Sequence, residues 1–181
     1  MPKRDAAKTI TELKCIARDW SSVVAGSNLS QHLAWQGLHS TIGRSITYHF
    51  PVSMMTWKQG DQIASLLYLG ILPKLGVAWC FPKAYCYAPW KFLGLGLAHP
   101  YVEQGVRHLH DFLKLATHDS LVGHLLRASY KQSLLETGLG GTLFNHSFQI
   151  WGVHHTPSLL HRLWEFCQGV GVTLAAPRGW V

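Results

Sequence analysis

The feature that most constrains the fold is a stretch near residues 79–97 in which large and small side chains alternate. Most of its odd-numbered positions hold large residues, and most of its even-numbered positions hold Cys, Ala or Gly. A period of two is typical of extended chain with alternating faces. Pro82 and Pro89 lack the N–H that a sheet requires, and Gly94 and Gly96 favour a tight bend. The pattern predicts one short β-hairpin-like insert, called the insert below, with its aromatic side chains in the core.

Helical periodicity dominates the sequence on both sides of the insert. Apolar residues recur there at intervals of three and four. Thr56 and Gln59 have the spacing of a capping box, Asp119 or Ser120 precedes a later helix, and Gly138 follows that helix. The predicted fold class is therefore mainly α, a helical bundle of about six helices with one short β element.

Three of these helices carry apolar residues that predict their buried faces. The segment 63–72 is apolar on most sides and is expected at the centre of the core. The helix that begins near residue 100 has an apolar stripe of Val102, Val106, Leu109 and Leu113, supported by Phe112 and Ala116. The helix after Ser120 carries Leu121, Leu125, Leu126 and Leu134. We expect each set to face the interior.

No repeat, low-complexity tract or long linker divides the 181 residues. We expect an N-terminal helix and turn at residues 1–28, a helical region that includes the insert at residues 29–169, and a tail at residues 170–181.

The charge balance favours an anionic partner. The chain has 16 Lys and Arg residues, 9 Asp and Glu residues and a formal net charge of +7, which is typical of proteins that bind nucleic acid or a membrane surface. Pro73 and Lys74 interrupt the apolar run 63–82, which argues against a membrane span. The first five residues lack the apolar run of a signal peptide. We expect an intracellular protein, cytoplasmic or nuclear, with no membrane partner.

The sequence shows no pattern typical of a metal or catalytic site. Its twelve histidines include no His-Glu-x-x-His motif, and Cys80 and Cys86 have five residues between them, unlike the common zinc-binding spacings. No two carboxylates are adjacent and no Gly-x-Ser-x-Gly elbow occurs. We predict no metal, no cofactor and no catalytic residue.

Basic residues interleaved with aromatic residues are the one pattern that indicates a binding surface. In the insert, Lys83 and Lys91 flank Tyr85, Tyr87 and Trp90, which would combine phosphate contacts with base stacking. The other interpretation is that the two lysines protect an edge strand from aggregation. Both interpretations remain open at this point.

Eight segments resemble, in the same order, the region that follows the palm in certain retrotransposon reverse transcriptases. They are residues 29–35, 40–51, 71–76, 81–89, 93–97, 104–109, 125–129 and 136–140. The likeness spans roughly residues 16–168. It implies a thumb and connection, the parts that hold the template–primer duplex behind the polymerase active site. The chain lacks the Tyr/Phe-x-Asp-Asp motif and the further aspartate of the family's palm. The resemblance therefore implies a severed or decayed portion of a polymerase with no activity of its own. It also implies a second candidate partner beside nucleic acid, the missing palm and fingers region.

The expected function is non-specific binding of nucleic acid, an RNA/DNA duplex, through its phosphate backbone. The candidate contacts are Arg44, Lys83, Lys91, Arg127 and Lys131. Arg127 and Lys131 lie four residues apart, on one face of a predicted helix. The alternative is a helical protein-interaction module with no nucleic-acid role.

Overall fold

The computed structural model describes residues 6–175, and this part of the chain is mainly helical. The chain divides into two compact units, Met1–Gln104 and Gly105–Val181. The mainly α prediction is confirmed, although the chain has more helical segments than the six expected. The three-part division predicted from the sequence stays a prediction, and the last six residues of its tail lie outside the described range.

Unit 1 is built from a run of helices before the insert. They are α1 (Ala6–Gly26), α2 (Gln31–Gly37), α3 (Gly43–Tyr48) and α4 (Trp57–Ile71). A π-helical turn at Leu38–Ile42 joins α2 to α3 without a break, because the Gly43 N–H donates to the Leu38 carbonyl. The predicted capping box is confirmed: the Thr56 N–H donates to Gln59 Oε1 at 2.8 Å, and the Gln59 N–H donates to Thr56 Oγ1 at 3.4 Å.

The core of unit 1 lies between α1 and α4 and extends to the helices and loops packed around them. Leu13 and Ala17 on α1, with Ile63 and Ala64 on α4, are fully buried there. The prediction that the segment 63–72 is central is confirmed for most of its residues, because seven of the ten are buried. Burial of this apolar surface is the main free-energy term that stabilises unit 1.

The β-hairpin-like prediction for residues 79–97 is wrong. No strand occurs in residues 6–175; the insert instead forms the helix α5 (Lys83–Tyr87) and a 3₁₀ turn at Trp90–Phe92. The chain does fold back on itself, because the N–H groups of residues 95–97 donate to the carbonyls of α5 and its cap. Pro82 gives the physical reason: it occupies the N-cap of α5, where its missing N–H costs nothing.

Unit 2 contains the rest of α6 (Pro100–Thr117), which begins in unit 1, followed by α7 (Leu121–Thr137), α8 (Phe148–Trp151) and α9 (Leu159–Val170). Its fully buried aromatic side chains are Phe112, Tyr130, Phe144 and Trp164. Two of them also satisfy backbone groups. The Leu143 N–H donates to the Tyr130 hydroxyl at 2.9 Å, and the Trp164 indole N–H donates to the His146 carbonyl at 3.0 Å.

The predicted buried face of α6 is confirmed in part, and that of α7 is wrong for Leu121 and Leu125. On α6 the predicted Phe112 and Ala116 are buried, as are Gln104 and His108, whereas Val106 and Leu113 are exposed. On α7 the buried side chains include Tyr130, Ser133 and Thr137, and the exposed ones include Leu121, Val122, Leu125 and Leu135. Apolar spacing predicted a helix correctly in both cases. The face that is buried depends on which elements pack against the helix, and the spacing alone does not carry that information.

Candidate functional site

The five basic residues predicted from the sequence lie on both units. Arg44, Lys83 and Lys91 belong to unit 1, and Arg127 and Lys131 belong to unit 2. Unit 1 also holds most of the positive charge, with ten Lys and Arg residues against five Asp and Glu residues. Each unit is therefore described as a separate candidate surface.

Lys83 is held by an acidic partner on another helix. Its ammonium lies 2.9 Å from both carboxylate oxygens of Asp61 on α4 and 3.3 Å from Ser65 Oγ. Both charged side chains remain more than one-third exposed, so the pair contributes at most about 1 kcal/mol to stability. Its larger effect is local neutralisation, because Asp61 offsets the charge that Lys83 would present to a phosphate.

A buried histidine lies beside this pair. The His99 ring stacks on Trp57 with centroids 4.3 Å apart and meets Tyr87 edge-on at 5.2 Å. Its Nδ1 accepts from the Tyr101 N–H, and its Nε2 lies 3.9 Å from the Asp61 carboxylate. Burial lowers the pKa of His99, an effect that the nearby Asp61 carboxylate opposes and the Lys83 ammonium reinforces. The ring is therefore neutral at pH 7, and we treat it as part of the packing around Asp61.

Lys91 and Arg44 differ from Lys83 because neither forms an ion pair with an acidic group of residues 6–175. The Lys91 ammonium lies 4.9 Å from the centroid of the Phe92 ring. Arg44 is exposed on α3, directly after the π-helical turn. Both side chains present a full positive charge to solvent.

The aromatic side chains of the insert were expected in the core, and most of them are exposed. Trp79, Tyr85, Trp90 and Phe92 are exposed, whereas Tyr87 is half-buried. Within α5 the helical backbone directs Cys86 inward and leaves Tyr85 exposed, whereas Trp79, Trp90 and Phe92 lie outside that helix. The insert therefore combines exposed aromatic rings with exposed lysines, which the period-two interpretation did not predict.

In unit 2, Arg127 and Lys131 occupy the same face of α7 but have different surroundings. Arg127 Nη2 donates to the His118 carbonyl at 3.2 Å and lies 3.8 Å from the Asp119 carboxylate. Lys131 is exposed and forms no ion pair with the acids of the described range. Asp119 also lies 2.9 Å from His124 Nε2. Within this pair, Lys131 is the stronger candidate for a phosphate contact.

No group of three or more His, Cys, Asp or Glu side chains converges anywhere in residues 6–175 with the geometry of a metal site. All four cysteines are free thiols. Burial raises the pKa of the Cys167 thiol to about 11 and also raises that of Cys86. Both thiols are therefore protonated at neutral pH, and a thiol in that form is a weak ligand and nucleophile.

Comparison of the chain with protein-family models, with curated proteins and with solved structures found no match. Within the described range, no helix combines the length and the apolar character needed to cross a bilayer.

Proposed function

We propose that the chain is a non-catalytic portion of a retroelement reverse transcriptase that binds nucleic acid non-specifically through the phosphate backbone. The observation that carries the proposal is the surface of the insert, where the exposed Lys91 ammonium lies 4.9 Å from the exposed Phe92 ring and where Tyr85 and Trp90 are also exposed. Lysine ammonium groups bind phosphates, and exposed aromatic rings accept bases by stacking.

Two further observations support the same proposal. Unit 1 has a formal charge of +5, and Arg44 and Lys91 add to its field without a neutralising partner among the described acids. The segments that resemble reverse transcriptases, in the same order along the chain, include parts of the insert. Backbone-directed binding of this kind predicts strong salt dependence and no sequence preference.

The test is a titration of labelled B-form DNA duplexes of three unrelated sequences at several salt concentrations, followed by fluorescence anisotropy. The logarithm of the association constant should fall linearly with the logarithm of salt, by about 0.9 per phosphate contact, and equally for all three duplexes. A template–primer RNA/DNA hybrid in parallel measures the preference between duplex types.

Lys91→Ala and Lys83→Ala form a matched pair within the insert. The salt slope is the steepness with which the logarithm of the association constant falls with the logarithm of the salt concentration. Lys91→Ala should reduce this slope by about 0.9, because it removes one full phosphate contact. Lys83→Ala should lower it less, because Asp61 already binds that ammonium. If duplex affinity and slope stay unchanged in a folded Lys91→Ala protein, Lys91 is not part of the interface. If no duplex binds at low salt, the proposed function is wrong.

The second candidate function is a helical protein-interaction module, and the exposed apolar residues of α6 and α7 favour it. Val106 and Leu113 lie two turns apart on α6, and Leu121 and Leu125 lie one turn apart on α7, with all four exposed. Exposed apolar patches of this kind are typical of protein-binding surfaces. This candidate predicts no salt-dependent duplex binding, so the same titration separates the two functions.

A further inference from the structure

A cleft in unit 1 lies between α2 and the end of the insert. It has a volume of about 440 Å³ and is lined by Gln31, His32, Trp35, Leu75, Trp90 and Leu95. This volume falls within the range of sites that bind small organic ligands. We call it the Trp90 cleft.

Two indole rings form the aromatic wall of the Trp90 cleft. Trp35 and Trp90 meet edge-on, with centroids 5.6 Å apart and planes at 74°. Trp35 is partly buried against the core, whereas 68% of the Trp90 surface is exposed. One ring is therefore fixed by the core, and the other offers most of its surface to a ligand.

The backbone of the insert holds Trp90 in place. Gly96 has a φ of 63°, and a Cβ at this position would overlap the Nε1 and Cδ1 atoms of Trp90. The Leu95 N–H donates to the Tyr85 carbonyl and the Leu97 N–H donates to the Cys86 carbonyl, both at 2.9 Å. The indole thus rests on a backbone segment tied to α5. A ring positioned in advance loses little conformational entropy when it binds a ligand.

The polar groups of the cleft lie on α2. The Gln31 amide donates to the Leu75 carbonyl at 3.0 Å, which fixes its orientation, and the His32 side chain is exposed beside it. None of the described residues that line the cleft is acidic. The walls are otherwise aliphatic, from Leu75 and Leu95. This chemistry suits a planar ring that stacks on indole and presents hydrogen-bonding edges to an amide and an imidazole.

The geometry points to an unpaired nucleobase as the occupant of the Trp90 cleft. Charge complementarity decides between a base and an apolar peptide side chain. Lys91 does not line the cleft but follows Trp90 directly, is exposed and forms no ion pair with the described acids, so it is a cation available to the phosphates of a strand whose base occupies the cleft. This inference rests on the proposed function and deepens it. In addition to binding the phosphate backbone, the chain would bind an unpaired base of a single strand.

The experiment compares two labelled single strands of equal length and charge, a twelve-residue oligothymidine and its fully abasic counterpart, by fluorescence anisotropy at one salt concentration. The full-length chain should bind the oligothymidine at least about fivefold more tightly, the lower end of the effect of one base–aromatic stack. The abasic strand isolates the phosphate contribution.

Trp90→Ala should remove this preference and leave the affinity for the abasic strand unchanged. The matched control is Trp79→Ala, because Trp79 is 71% exposed in the same insert but does not line the cleft. Trp90→Phe should restore part of the preference, since it restores a ring. If circular dichroism shows that Trp90→Ala is unfolded, Trp90→Leu replaces it, because leucine keeps apolar bulk and lacks an aromatic face.

The outcomes distinguish this inference from the proposed function. Equal affinity for the two strands would overturn the base-binding cleft and leave phosphate binding standing. A preference that persists in Trp90→Ala and Trp90→Leu would also overturn it. If neither strand nor any duplex binds at low salt, both the cleft inference and the proposed function are wrong.

Discussion

Gly70 on α4 lies directly against Ser21 on α1, with no space between them for a methyl group. A Cβ at position 70 would lie 2.5 Å from the Ser21 carbonyl oxygen and 2.9 Å from its Cα. The Ser21 hydroxyl is also in the way, but because these two atoms belong to the backbone, no side-chain rotation relieves the overlap. The packing of α1 on α4 at this point therefore depends on this glycine.

Gly70→Ala is expected to destabilise the protein by about 1–3 kcal/mol, the usual cost of overpacking a core. The control is Gly37→Ala. A Cβ at Gly37 has no atom within 4 Å, and its backbone is helical, so this change should stabilise by about 0.5–1 kcal/mol. Urea denaturation followed by circular dichroism measures both. Equal effects of the same sign would contradict the described packing of α1 on α4.

Leu67→Ala should lower the free energy of unfolding by about 2–5 kcal/mol, because Leu67 on α4 is only 6% exposed. Leu69→Ala on the same helix is the matched control. Leu69 is 56% exposed, so the same change there should cost no more than about 0.5 kcal/mol. Chemical denaturation of the two variants tests which face of α4 is buried. Similar losses at both positions would show that the helix is rotated from the orientation described here.

Stability should fall as the pH drops below about 6.5, in part because of His99. Burial lowers the pKa of His99 in the folded protein, so the unfolded chain binds a proton at a higher pH than the folded chain does. The contribution is fully present above the unfolded pKa and is lost as pH falls toward the folded pKa. The groups facing the ring are Asp61, Lys83 and Tyr87.

His99→Gln should reduce this dependence on pH. Unfolding free energies at pH 7.5 and pH 5.5 should differ less in the variant than in the wild type, whatever its absolute stability. Some dependence should remain, because burial also lowers the pKa of His161. An unchanged difference between the two pH values would mean that His99 is not held neutral in the folded state.

In unit 2, Lys131→Ala should flatten the salt dependence of duplex binding more than Arg127→Gln does. Lys131 presents an unneutralised charge, whereas Arg127 is engaged by the His118 carbonyl and lies near Asp119. The expected change for Lys131 is about 0.9 in slope, and equal for unrelated sequences. Anisotropy titrations at four salt concentrations measure it. A larger effect of Arg127→Gln would show that Arg127 contributes more to phosphate binding than Lys131 does.

The isolated chain should extend no primer. Metal-assisted phosphoryl transfer requires carboxylates that position Mg²⁺, and the sequence has neither adjacent carboxylates nor the aspartate motif of the palm. A primer-extension assay with and without Mg²⁺ checks this. Extension above background that disappears when Mg²⁺ is removed would contradict it.

The sequence by itself determined where several helices begin and end, because these signals act within one turn of backbone. Thr56 and Gln59 satisfy each other's N–H groups, and the Ser120 hydroxyl accepts from Gly123 three residues on. Gly138 adopts the left-handed conformation that ends α7. Each of these interactions spans a few residues, so local residue types suffice to specify it.

Only the tertiary structure decided which side chains are buried and which charges remain unpaired. Lys83 contacts Asp61, which lies 22 residues away along the sequence, and Trp35 contacts Trp90, which is further away along the sequence. The period of two in the insert was compatible with a strand or with a short helix between prolines. Packing selected the helix, which buries Cys86 and leaves Tyr85 exposed. Burial depends on which elements meet in space, and the spacing of residues along one segment does not contain that information.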